Sequence, residues 1–539
     1  MNIKRYIPLV ALFFAGATLT SCEAFNEFLD VVPDNRTELD TEDKIIAMLV
    51  SAYSPYTYLT TCEFSSDNID KLDIKNPVNE LYIEELAMWQ DVTEVQNDGP
   101  QNVWQGQYGA IASANEILSA IEEYGDDLTD RLKAAKGEAL MCRAYAHFIL
   151  ANVFCQAYSP TYADSDLGLP YMFEAETTLN PKYERGTLAE FYAYMAADVE
   201  EGLTLITDNI ASVPKYHFGV KSANAFAARF YLFYQDYDKA VECATKVLGS
   251  NPASDLRDLA TNKAYGTLDN GYNLFAVLDY IDSSHKCNLL MATGMSQIGV
   301  AFGPYSAYTD FNHGSYLSAT ETILAATAPF GAPVAGDLNQ LILTLNSSTY
   351  DKQFFPRVPY LFEYTDEVAG IGYPHTVEVL LTVDETLLVR AEAYAMSGNF
   401  AAAVEDINTW VGNYRIAGGN LTESSINSWA DRTAYYEYKE PTVKKRFEDP
   451  AMTIASGTQE NVLHVVAYLR RLETLHTGLR FFDMKRYGYT TYRRAFANTN
   501  TDKVPQTITL LDQLAPRDPR YAIQIPVDVI SAGFEPNPR

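Results

Sequence analysis

Residues 223–248 read ANAFAARFYLFYQDYDKAVECATKVL, and residues 386–411 read TLLVRAEAYAMSGNFAAAVEDINTWV. Aligned at an offset of 163 residues, the two stretches match Ala228 to Ala391, Tyr231 to Tyr394, Tyr237 to Phe400, Ala240 to Ala403 and Val241 to Val404. In the first, Ser222–Tyr234 carries Ala223, Ala227 and Ala228, small residues that let a partner helix approach closely; Gln235-Asp236 marks a turn, and Asp238–Leu248 restores the 3.6-residue period. Ser397-Gly398-Asn399 makes the same break in the second copy, with glycine supplying backbone freedom. Two helices joined by a tight turn and repeated along the chain are the pattern of a tetratricopeptide-type hairpin. Such a unit cannot bury its apolar face alone, so the copies are expected to stack on each other and on Leu188–Ile206. A third helix is expected from Arg131 to Phe154, where Ala135, Ala139, Cys142, Ala146, Ile149 and Leu150 fall three or four residues apart.

Outward from these helices the texture changes. Residues 251–385 and 55–104 are punctuated by Tyr, Gly, Pro, Ser, Asn and Asp, with short β-branched runs such as Val377–Val383. The expected fold class is mainly α: a helical scaffold over about 103–250 and 384–490, with loop-rich regions, bearing a few short strands, over about 55–102 and 251–383. Long loops on a helical scaffold usually carry function.

The first 22 residues form a separate unit. Lys4 and Arg5 precede an apolar stretch from Ile7 to Leu19, too short to span a bilayer, and Leu19-Thr20-Ser21-Cys22 closes it with a cysteine. This resembles a bacterial lipobox, which implies removal of residues 1–21, acylation of Cys22 and a mature domain of residues 22–539. Across the chain 40 Lys and Arg stand against 70 Asp and Glu, a net charge of −30, so phosphate backbones are repelled and nucleic acid is excluded as a partner. Five further cysteines, Cys62, Cys142, Cys155, Cys243 and Cys287, include no CxxC pair and read as small buried hydrophobes, with one disulfide among them left open.

More of the chain then falls into a known order. Phe28-Leu29-Asp30 follows the cysteine; Trp104, Tyr108, Ala114-Asn115 and Ile117-Leu118 come next; then Ala139-Leu140, Arg143-Ala144-Tyr145, Phe148 and Gly168-Leu169-Pro170-Tyr171. Glu392-Ala393-Tyr394, the run from Arg470 through Gly478, Arg480, Phe482, Asp483 and Lys485-Arg486-Tyr487-Gly488, and the ending Ile523-Gln524-Ile525-Pro526 with Asn537-Pro538 complete it. Over essentially its full length the chain resembles the SusD/RagB family of surface nutrient-binding lipoproteins. It departs from the family at Thr477, where an acidic residue is usual, and at Leu469, where Glu is common; Arg471/Glu473 and Arg480/Asp483 are left to supply local ion pairs. The resemblance implies a lid without covalent chemistry or cofactor, anchored by lipid on the outer face of the outer membrane. There it would bind oligosaccharides above a SusC-like TonB-dependent transporter. The RagB branch offers peptide as the alternative cargo.

The residues themselves offer no catalytic template. No two histidines stand at i, i+4, no HExxH occurs, and Gly294-Met295-Ser296-Gln297-Ile298-Gly299 sets its second glycine one residue too far for a nucleophile elbow. A surface glycoside hydrolase remains a weaker alternative, since a carboxylate pair could be nominated anywhere among 70. Sugar recognition needs flat aromatics with polar side chains beside them. Two loops supply that mixture, one with Trp89, Asn97 and Asp98, the other with Tyr305, Tyr308, Phe311 and Asn312, and the resemblance points to the same two regions. Trp104, Tyr108 and Trp410 are assigned to the core, and Lys444-Lys445-Arg446 to a solvated surface.

Overall fold

The computed structural model describes residues 39–539 apart from 75–79, 126, 177–180, 209, 211–212, 267–273, 306–308, 348 and 417. The leader, Cys22 and Tyr308 lie outside the described residues. Among the described residues ten helices are nine residues or longer: α1 (Pro100–Glu122), α2 (Asp130–Phe154), α3 (Leu188–Leu205), α4 (Val220–Tyr234), α5 (Tyr237–Leu248), α6 (Val383–Met396), α7 (Phe400–Tyr414), α8 (Glu423–Arg432), α9 (Thr458–Glu473) and α10 (Leu479–Tyr487). The fold is mainly α, as the repeat requires. Among the described residues no helix is long and apolar enough to cross a membrane.

Both repeat copies form helical hairpins by the same device. Gln235 takes a left-handed φ of 65° to end α4, and the Asp236 side chain accepts from Lys239 N at 3.2 Å to start α5. In the second copy Gly398 has φ 79°, and Asn399 accepts from Ala402 N at 3.4 Å. The hairpins stack through α5 and α6, with α3 against α4. Ala223, Ala227, Ala228, Ala391 and Ala403 are fully buried at these contacts, where a larger side chain would hold the helices apart.

Bidentate ion pairs fix the register of this packing. Arg143 reaches Asp198 at 2.7 Å between α2 and α3; Arg229 of α4 reaches Glu385 of α6 at 2.8 Å; Arg390 of α6 reaches Asp406 of α7 at 2.8 Å. All six side chains are buried. Removing one partner of such a pair would cost about 3–5 kcal/mol, because its mate would stay buried and uncompensated.

The strands are β1 (Asp70–Lys71), β2 (Asn288–Met295), β3 (Phe311–Asn312), β4 (Leu343–Asn346), β5 (Asp351–Phe354), β6 (Leu361–Asp366), β7 (Ile371–Thr382), β8 (Thr491–Ala497) and β9 (Thr507–Leu514). They make a four-stranded sheet ordered β3-β1-β8-β9, a three-stranded sheet ordered β2-β7-β6, and the β4-β5 pair. The β-branched run expected at Val377–Val383 is the second half of β7, and Val383 already opens α6.

Two charge assignments differ from the sequence reading. Lys444 and Lys445 are buried: Lys445 Nζ lies 2.7 Å from Asp67 and 3.2 Å from Glu321, while Lys444 donates to Ala430 O at 2.7 Å. The local pairs Arg471/Glu473 and Arg480/Asp483 do not form; both arginines pair across the fold, and Asp483 takes other partners. Arg471 meets Glu321 at 3.0 Å, Arg480 meets Asp67 at 2.7 Å, and Asp483 is held by Arg470 at 3.0 Å and Arg486 at 2.8 Å. Glu473 accepts from Trp410 Nε1 at 3.1 Å, with Trp410 buried against Tyr414. Cys62, Cys142, Cys155, Cys243 and Cys287 are all free and buried.

Candidate functional site

The structure brings the two sequence-predicted loops together, largely through their backbones. Strand β3 pairs antiparallel with β1, setting Asn312 opposite Asp70 and Phe311 opposite Lys71. Farther along, Asp98 Oδ2 accepts from Gln297 N at 2.8 Å, joining the first loop to the end of β2. Burial raises the pKa of the Asp98 carboxyl, and a hydrogen bond from Ser296 opposes that shift.

Four of the predicted ligand residues are packing residues. Trp89 is 6% exposed, donates from Nε1 to Ser65 O at 2.8 Å, and lies 4.8 Å from the Arg493 guanidinium. Its φ of 52° turns the chain out of the helix Leu81–Ala87 and swings the ring inward. Phe311 is buried beneath Lys71 Nζ at 5.1 Å, and Asn312 is buried with its Oδ1 accepting from His313 N at 2.9 Å. Asp98 is buried as the tie just described. None of these four presents an open face to a sugar ring. Asn97 is exposed, and Tyr305 is half-buried.

Tyr305 leads to the surface best built for recognition. Its hydroxyl donates to Tyr360 O at 3.4 Å, and the two rings stand edge to face at 5.5 Å. Burial raises the pKa of the Tyr305 phenol, so it stays a neutral donor. Tyr360 leads directly into β6, which pairs with the first part of β7 while β2 pairs only from His375 onward. The β6–β7 hairpin therefore projects beyond the sheet. At its turn Asp366 Oδ1 accepts from Val368 N at 3.0 Å and Ala369 N at 2.9 Å, and Gly370 takes φ 67°.

Alternation along β6 puts Phe362 and Tyr364 on one face, 40% and 56% exposed, with their rings 4.9 Å apart. The residue opposite Tyr364 is Gly372, so no side chain covers that ring from the neighbouring strand. A Cβ at Gly372 would come within 2.0 Å of Glu363 O, so the position demands glycine. The other face pairs Glu363 with Tyr373, whose hydroxyl donates to the carboxylate and is thereby raised in pKa. Ser296 N donates to Pro374 O at 3.3 Å, which places the exposed Gln297 and the Asp98 tie at the root of the hairpin.

Behind this root Glu378 of β7 faces inward. Its carboxyl is buried, Oε2 has no hydrogen-bond partner among the described residues, and burial, reinforced by the Asp98 charge, pushes its pKa up to about 8. Two small cavities, of about 40 and 30 Å³, both touch Glu378, Tyr58 and Leu380. Each has room for ordered water.

The arrangement can stack planar rings on Tyr305, Tyr360, Phe362 and Tyr364 and offer hydrogen bonds from Asn97, Gln297 and Glu363. The hairpin aromatics escaped the loop-based reading, although Phe362-Glu363-Tyr364 alternates aromatic with polar ahead of Gly370, a strand-and-turn signal. Among the described residues no group of three or more His, Cys, Asp or Glu side chains could hold a metal ion.

Residues 27–232 match the model of a SusD-like family described as starch-binding associating with outer membrane. No curated protein matches the sequence. The chain is similar in structure to a SusD superfamily protein from Bacteroides thetaiotaomicron, with 16% identity and a TM-score of 0.62 over 93% of this chain and 100% of that one. It is also similar to a SusD-like carbohydrate binding protein from Bacteroides vulgatus, with 16% identity and a TM-score of 0.60 over 91% and 95% of the two chains. A laminarin binding SusD-like protein aligns with 14% identity and a TM-score of 0.50 over 92% and 98%. At these identities the structural likeness establishes the fold.

Proposed function

We propose that this chain, which matches a SusD-like family model over residues 27–232 and shares the fold of SusD superfamily structures, is a cell-surface lipoprotein that captures oligosaccharides and passes them to a SusC-like TonB-dependent transporter. Residues 1–21 are the leader in this reading, Cys22 carries the lipid, and residues 22–539 form the mature unit on the outer face of the outer membrane. The family's description as starch-binding and outer-membrane-associated supports the class of ligand and the location. The observation that carries the reading is the projecting β6–β7 hairpin, whose Phe362 and Tyr364 rings stand in solvent beside the Tyr305–Tyr360 pair. Exposed aromatics cost solubility unless a ligand covers them, and a pyranose presents an apolar face of matching width.

The chain acts by binding without covalent chemistry. Calorimetric titration with maltoheptaose and laminarihexaose, followed by chromatography of the recovered sugar, tests this directly. Saturable binding with unchanged chain length is expected. Shortened sugar would make the protein a hydrolase, and retention of peptides in place of either glycan would move it to the peptide-binding branch.

A further inference from the structure

A second aromatic cavity lies away from the hairpin, between α1 and the C-terminal segment. It encloses about 240 Å³ and is lined by Trp104, Tyr108, Tyr183 and Phe534, with Glu174 and Glu176 also in the lining. A smaller pocket of about 120 Å³ shares Tyr183 and Phe534 with it. The walls are fixed. Trp104 packs edge to face on Phe534 at 5.6 Å, Tyr108 donates to Pro170 O at 3.2 Å, and Asn115 Nδ2 holds the carbonyls of Met172 and Glu174 at 3.0 and 3.1 Å. Tyr183 is 38% exposed, and its hydroxyl donates to Glu176.

The larger cavity's own lining carries formal charge only on Glu174 and Glu176, both exposed, while Lys182 lines the adjoining smaller pocket. Four aromatic rings contribute to the wall, two carboxylates add formal charge, and no Lys or Arg is among the residues that line the larger cavity. Among the described residues neither glutamate has a cationic partner within salt-bridge distance. Arg185 lies 5.8 Å from the Phe534 ring, tethered to Gly168 O at 2.8 Å and to Asn537 Oδ1 at 2.8 Å, so this ring already receives a cation from within the chain. An aromatic box with flanking carboxylates attracts an organic cation through ring quadrupole and Coulomb terms together, while a neutral sugar gains only the stacking part.

We propose that this cavity is a second ligand site, which takes an organic ammonium group borne on a small body such as choline or a free hexosamine. The volume suits one such body. Occupancy here is independent of whatever the hairpin face binds.

The experiment is a fluorescence titration of the full chain with choline, glucosamine and glucose. Of Trp89, Trp104, Trp410 and Trp429, only Trp104 lines the cavity. Choline and glucosamine should change the emission saturably, with glucose about tenfold weaker or worse. Tyr183→Ala should weaken both cations about tenfold while the circular dichroism stays helical, and the double variant Glu174→Gln/Glu176→Gln should abolish the preference for cation over glucose. Tyr364→Ala, on the hairpin, should leave these titrations unchanged. An amino sugar that binds while choline does not would restrict the ligand to the hexosamine. The inference is overturned if neither cation gives a saturable change, if glucose binds as well as glucosamine, or if both cavity variants bind like wild type. None of those results would touch oligosaccharide binding at the hairpin.

Discussion

Replacing Glu378 with Gln should stabilise the protein at neutral pH and leave it unchanged in acid. In the folded chain the carboxyl keeps its proton up to about pH 8, against an ordinary value of 4.5 in the unfolded chain. Below pH 4.5 both states hold the proton and the residue contributes no pH dependence. Between 4.5 and 8 the unfolded chain releases a proton that the folded chain retains, so stability falls as pH rises, by about 1.4 kcal/mol per unit. At pH 7 the accumulated loss is on the order of 3 kcal/mol, and above pH 8 it levels off near 5 kcal/mol, because the folded carboxyl then ionises too. Glutamine keeps the shape and the neutral hydrogen-bonding capacity and cannot ionise. Urea unfolding of wild type and E378Q at pH 4.5, 7 and 8.5 reads the difference directly, since most other titrating groups cancel between the two proteins. The variant should match wild type at pH 4.5 and gain steadily through pH 8.5. A difference that does not change with pH, or a variant less stable than wild type at pH 8.5, would refute the reasoning.

Trp89→Ala should act on folding first: loss of a buried ring, its hydrogen bond to Ser65 O and its contact with Arg493 should lower stability by about 3–5 kcal/mol in denaturant titrations. Lys445→Met should also destabilise, by about 3 kcal/mol, because Asp67 and Glu321 lose a shared buried cation; a solvated lysine would give a change within about 0.5 kcal/mol. Cys22→Ser should leave glycan affinity in solution unaltered while releasing the protein from the cell surface, measured by membrane fractionation; retention of the variant would remove the lipid anchor from the account.

The helical frame was legible because it is written locally. Alanines at three- and four-residue spacing and a turn at Gln235 or Gly398 need no distant partner to be interpreted, and α4, α5, α6 and α7 fall within a few residues of where the repeat puts them. Burial in the loops was not legible, because it is decided by residues more than a hundred positions away. Trp89 is covered by Arg493, and Lys445 is neutralised by Asp67 and Glu321, none of which is near in sequence. The predicted site residues divide by burial. Tyr305 and Asn97 lie beside the exposed hairpin root, whereas Phe311 and Asn312 are consumed by β1 pairing. The hairpin's own aromatics were passed over because a loop-rich texture obscured the two-residue alternation of Phe362 and Tyr364.

The central claim is that exposed rings on and beside the β6–β7 hairpin hold the oligosaccharide. Titrating whichever of maltoheptaose and laminarihexaose binds wild type into Tyr305→Ala and Tyr364→Ala tests it most directly. Each ring removed should weaken binding by about 1–3 kcal/mol, roughly five- to 150-fold, with helical circular dichroism intact. If both variants, folded as wild type, bind the glycan with unchanged affinity, the hairpin face is not the site.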